Sequence, residues 1–122
     1  MMIKRIVCAL CAVMLALSLC ACGEKTKSID MQALENSMVS ADKTLPEMKV
    51  SGSWEENAEK AFSYISDLEY NKIHGFFLAY AADGMAYEIA VVQLKDKSDA
   101  SAMADSLREH VRSRVQMYKT YE

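Results

Sequence analysis

The sequence predicts an α+β domain, an antiparallel β-hairpin packed by two or three α-helices, carried behind a lipoprotein signal peptide. Three observations predict it. The chain opens with a basic start and an apolar run that ends in a cysteine. Two segments between Ile73 and Leu94 are dense in aromatic and branched residues, with Asp83-Gly84 between them. The segments on either side repeat apolar residues at spacings of three and four, the period of a helix with one buried face.

In the leader, Lys4 and Arg5 precede an almost unbroken apolar run from Ile6 to Leu19, followed by Leu19-Cys20-Ala21-Cys22-Gly23. A basic start, a short apolar stretch and small residues before a cut site make an export signal. The Leu-x-Ala-Cys ending resembles the lipobox at which lipoprotein leaders are cut. Residues 1–21 are therefore expected to be removed. Cys22 is expected to carry the diacylglycerol that attaches the chain to the extracytoplasmic face of the cell membrane. Residues 22–28 then form the lipidated cysteine and tether, and residues 29–122 one small α+β domain. The competing reading is an uncleaved membrane anchor, but a spanning helix needs about 20 apolar residues and this run is shorter. As a flexible coil the tether Gly23 to Ser28 reaches on the order of 13 Å, which keeps the domain close to the lipid surface.

All four cysteines, Cys8, Cys11, Cys20 and Cys22, lie in the leader or at its end, so the exported domain has none for a disulfide, a thiolate metal site or a nucleophile. The leader's only charges are Lys4 and Arg5, and losing those two positive charges takes the formal net charge from −3 to −5. An acidic domain does not suit nucleic acid, whose phosphates demand a basic surface.

Ser28 and Asp30 are candidate caps for a first helix in which Met31, Leu34, Met38 and Ala41 share a face. Leu45 to Ser53 contains the only proline and reads as a connection. Ser53-Trp54-Glu55-Glu56 fits a capping box for a second helix, with Trp54, Ala58, Ala61, Phe62 and Ile65 on its stripe. Ile73 to Ala81 and Met85 to Leu94 are the expected strands, turned by Asp83-Gly84 in a type I′ geometry that suits a residue without Cβ. On the second strand Ala86, Glu88, Ala90, Val92 and Leu94 point one way, and Tyr87, Ile89, Val91 and Gln93 the other. Both faces are largely apolar, so both are expected to be covered. Ser98 is the expected cap of a last helix whose buried stripe is Met103, Ala104, Leu107, Val111, Val115 and Tyr118.

Among ionisable residues Glu88 stands out, because an unpaired carboxylate in the middle of an apolar strand costs several kcal/mol. Arg108 or Arg112 on the last helix is its expected partner, in a structural ion pair and not a catalytic one. Tyr70, Phe77, Tyr80 and Tyr87 are candidates for an edge or ligand surface, although cross-strand packing accounts for such residues equally well. Neither His74 nor His110 has a second ligand at a metal spacing, so no metal and no cofactor is expected. No nucleophile elbow, glycine-rich phosphate loop or Ser-His-Asp arrangement assembles, so no catalytic residue is assigned.

The lipobox, the amphipathic first helix, and Tyr87-Glu88-Ile89-Ala90-Val91-Val92-Gln93-Leu94-Lys95-Asp96 leading into an arginine-bearing helix together resemble the domain of unknown function 4358 family, small lipoprotein-type chains of Gram-positive bacteria. The resemblance runs from about Ile29 to the C-terminus. It implies a further strand after the last helix, which this sequence lacks, and it implies no activity. The expected function is a non-enzymatic, lipid-anchored binding module for another exported protein or a cell-wall component, reached through an uncovered sheet edge at Phe77 or Val91. The alternative is a small ligand-binding or hydrolytic protein using Glu88, Asp67 and the tyrosines around a pocket.

Overall fold

The structure, a computed structural model, describes residues 27–120. The leader, Cys22 and most of the tether lie outside the described residues. The elements run α1 (Met31–Ala41), β1 (Met48–Gly52), α2 (Ala58–Ser63), β2 (Ile73–Ala81), β3 (Glu88–Leu94) and α3 (Ala100–Lys119), with single 3₁₀ turns before β2 and before α3. The three strands form one antiparallel sheet in the order β1-β2-β3. The domain is α+β, with a three-stranded sheet where the sequence suggested a hairpin alone.

The added strand is Met48 to Gly52, which the proline and glycine around it disguised as a connection. Met48 and Val50 alternate with Lys49 and Ser51, and the strand pairs with Phe77 to Ala81 of β2. Five residues of alternation carry little signal in isolation, and their stability comes from β2. β2 is therefore the central strand. Phe77, expected at an edge, is 0 % exposed within it.

A sheet with helices on both faces needs two apolar layers, and alternation along β2 supplies them. Phe76 and Leu78 face α2 and α3, where they meet Ala58, Ala61, Phe62, Ile65 and Met103. Phe77 and Ala79 face α1, where they meet Met31, with Leu34, Val39, Val50, Ile89 and Val91 around them. Along β3, Ala90, Val92 and Leu94 join the first layer and Ile89 and Val91 the second, as the alternation predicts. In the first layer Phe62, Tyr70 and Phe76 form a tilted and edge-to-face trio with centroids 5.4–6.2 Å apart. Tyr70, half-buried, packs its ring into this layer.

Local chemistry sets the element ends. Asp30 caps α1 by accepting the Ala33 N–H at 3.0 Å. Ser53 does not cap a helix as its capping-box pattern suggested. Its hydroxyl bonds the backbone of Phe76 across the sheet at 3.3 Å, and α2 begins only at Ala58. The β2–β3 connection is also wider than a two-residue turn. Ala81 N–H donates to the Tyr87 carbonyl at 3.0 Å, and β3 starts at Glu88 and not at Met85. Within it Gly84 adopts φ +82°, and Asp83 accepts the Met85 N–H at 3.0 Å. The chain enters the domain against β3. The Gln93 side chain accepts the Ile29 N–H at 2.8 Å and donates to the Lys27 carbonyl at 2.7 Å. No helix among the described residues is long and apolar enough to cross a membrane.

Candidate functional site

The last helix keeps Met103, Ala104, Leu107 and Tyr118 of its expected stripe buried or half-buried but turns Val111 and Val115 outward. Met103 is its only buried residue. Along the rest of α3 the positions turned toward β3 are Leu107, His110, Arg114 and Tyr118, while Val111 and Val115 are 58 % and 48 % exposed. The carboxylate of Glu88 explains the choice. Leaving it unpaired beneath the helix costs several kcal/mol, whereas half-exposing two valines forgoes roughly 1 kcal/mol each.

Glu88 Oε1 lies 2.5 Å from His110 Nε2, and Oε2 lies 2.7 Å from Arg114 Nε. A carboxylate only accepts, so His110 carries a proton on Nε2. Glu88 and His110 side chains are 14 % and 16 % exposed. Arg114 extends the network, donating to the Tyr118 hydroxyl at 3.2 Å. That hydroxyl lies 3.1 Å from the Gly84 carbonyl and 3.3 Å from that of Met85. The C-terminal half of α3 is thus strapped to β3 and its turn by polar contacts.

The expected pairing of Glu88 with Arg108 or Arg112 is corrected: the helix is right and the residues are not. Arg108 bonds Asp105 and Arg112 bonds Glu109, both one turn back on the exposed side of α3. Arginine content pointed to the helix, but the angle between its face and the sheet chose Arg114. His110 carried no signal, since an isolated histidine usually sits on a surface.

Two openings meet at this network. On the outer side, between α3 and the edge of β3 that pairs with no strand among the described residues, lies an apolar groove of about 470 Å³ walled by Ala86, Ala90, Leu107, Val111 and Val115. On the inner side, between α2 and α3, lies a more polar cleft of about 520 Å³, to which Ser51, Lys60, Tyr64 and Tyr80 contribute. Glu88, His110 and Arg114 border both.

The remaining expected site residues are dispersed. Tyr80 lines the inner cleft, and Tyr87 lies exposed in the β2–β3 connection. Asp67 sits apart from Glu88 and accepts from the Ser106 hydroxyl at 3.0 Å. That donation fixes the order of the next bond, in which the Ser66 hydroxyl donates to Ser106 at 2.8 Å. Asp67 lines a third depression with Ser66 and Ser106, whereas Glu88 borders the two openings above. Among the described residues no group of three or more histidine, aspartate or glutamate side chains converges on a metal-sized point. No protein-family profile matches the chain, and neither a curated protein nor a solved structure matches it.

Proposed function

We propose that the chain is a lipid-anchored, extracytoplasmic binding module with no catalytic role, which accepts an extended segment of another exported protein at the free edge of β3. One observation carries the reading: the apolar groove opens directly beside that edge, with Val111 and Val115 overhanging it. A strand added to β3 completes the sheet's hydrogen bonding and places every second side chain beneath the two valines. The two edges of the sheet also differ. β1 is five residues long with an exposed lysine as its second residue, a form that discourages pairing. β3 is seven residues long and contains neither lysine nor proline. The membrane attachment rests on the leader and Cys22.

The test places a photo-crosslinking residue at Val111 of the full chain, expressed with its own leader and activated in intact cells. The expected result is one adduct whose linked peptide, read by mass spectrometry, is an extended segment with apolar residues at alternate positions. The adduct disappears when Val115→Lys puts a charge into the groove. No adduct, or an adduct with a second copy of this chain alone, overturns the proposal.

A further inference from the structure

The cleft between α2 and α3 has a chemistry of its own. Lys60 and Tyr64 reach it from α2, Ser51 and Tyr80 from the sheet, and His110 and Arg114 from α3. Nearly all these polar groups donate. Lysine and arginine have no acceptor, and the three hydroxyls donate or accept as required. The one carboxylate in the cleft is Glu88, whose two oxygens are already engaged by His110 and Arg114. Lys60 makes no ion pair among the described residues. Arg114 commits Nε to Glu88 and one terminal nitrogen to Tyr118, so its other terminal nitrogen has no protein acceptor among the described residues. With Lys60 and Arg114 against Glu88, the cleft carries one net positive charge in a protein whose net charge is −3. Tyr64 is largely exposed and Tyr80 partly so, and neither belongs to a core cluster.

We infer that this cleft binds an acidic sugar. Lys60 and the free edge of the Arg114 guanidinium take its oxyanion, the hydroxyls of Ser51, Tyr64 and Tyr80 meet its hydroxyls, and the tyrosine rings offer apolar faces to the pyranose ring. An oxyanion bonded by a guanidinium and an ammonium gains charge-assisted hydrogen bonds about twice as strong as neutral ones. The cleft volume lies within the range of small-molecule sites. A carboxylate and a phosphate monoester share the required chemistry. The site is distinct from the strand-accepting groove, which Lys60 and Tyr64 do not line.

The test titrates the full chain in mild detergent with glucose, glucuronic acid, glucosyl phosphate and inorganic phosphate, following backbone amide chemical shifts. Glucuronic acid or glucosyl phosphate is expected to bind about tenfold more tightly than glucose. The stronger of the two identifies the oxyanion, and the advantage shrinks as salt is raised. Lys60→Gln, at an exposed position, is expected to abolish most of the advantage without changing the melting temperature. Tyr64→Ala is expected to weaken acidic and neutral sugars alike. The inference is overturned if neither acidic sugar shifts residues of the cleft, if glucose binds equally well, if Lys60→Gln leaves the preference intact, or if inorganic phosphate alone reproduces the response.

Discussion

Glu88 receives two donors from one helix while its neighbours Ala86 and Ala90 are too small to fill the space beside it. This single carboxylate therefore decides both how α3 is rotated and where the groove opens. Glu88→Gln keeps the shape and removes the charge, and is expected to cost roughly 1–3 kcal/mol, since both donors lose a charged acceptor. A urea titration measures the loss, and hydrogen exchange is expected to speed up along 108–119 while β2 stays protected. Unchanged exchange in that segment would show that the polar strap does not hold the helix. Arg108→Ala and Arg112→Ala remove surface pairs whose arginine side chains are 72 % and 70 % exposed, and each is expected to stay within about 0.5 kcal/mol of the parent. The need of Glu88 for a partner on the last helix was legible in the sequence, because an isolated strand carboxylate demands one. Which partner was not legible, because that depends on a helix rotation fixed by packing.

Tyr70 gives a second prediction at this scale. Burial against Phe62 and Phe76, and then the charge of Glu59, raise its phenol above the ordinary value of 10.0. The folded state therefore holds this proton more tightly than the unfolded state. The associated stability is fully present below pH 10 and is lost as the pH rises through the folded value. Melting temperatures taken from neutral to alkaline pH are expected to fall above pH 10 in the parent and to fall less in Tyr70→Phe. Identical slopes would count against a phenol held in this packing.

At the scale of elements, β1 shows what short alternation conceals. Its last residue, Gly52, is shaped by a neighbour: a Cβ there would lie 2.1 Å from Trp54 Cζ3, because the indole folds back over the glycine. The sequence placed Trp54 on a helical stripe, but the chain turns at Ser53 and the ring covers the end of β1 instead. Gly52→Ala is expected to displace the indole and to cost about 1–3 kcal/mol, with a changed near-ultraviolet tryptophan signal. An unaltered tryptophan signal would place the ring elsewhere. The 73–81 strand was legible to the residue, since aromatic and branched residues fill it and Gly84 marks the turn. The start of β3 was not, because Met85, Ala86 and Tyr87 continue the strand pattern while the wider turn lifts them off the ladder.

For the whole molecule, the consequence of two apolar layers on one sheet is that its core is divided. Phe76 and Phe77 are adjacent in sequence, and both are fully buried, yet they serve opposite layers. Phe76→Leu and Phe77→Leu are each expected to cost about 1 kcal/mol, and the double variant close to their sum, because the two rings share few packing partners. A double variant departing from the sum by more than about 1 kcal/mol would mean that strain passes through the strand. That both faces are covered was foreseeable from the unbroken apolar character of β3. The candidate site was only partly legible, because its valines resemble core residues in sequence and become a surface only once α3 has turned toward Glu88.

The grip of Gln93 on Lys27 and Ile29 makes a hinge. Cys22 lies five residues before Lys27, a leash of about 17 Å at full stretch. A membrane holding Cys22 would deliver any tension to the C-terminal end of β3 before it reaches α1. The domain would swing like a short pendulum with its pivot on the strand that presents the free edge, so this edge would sweep the lipid surface while β1 stays farthest from it.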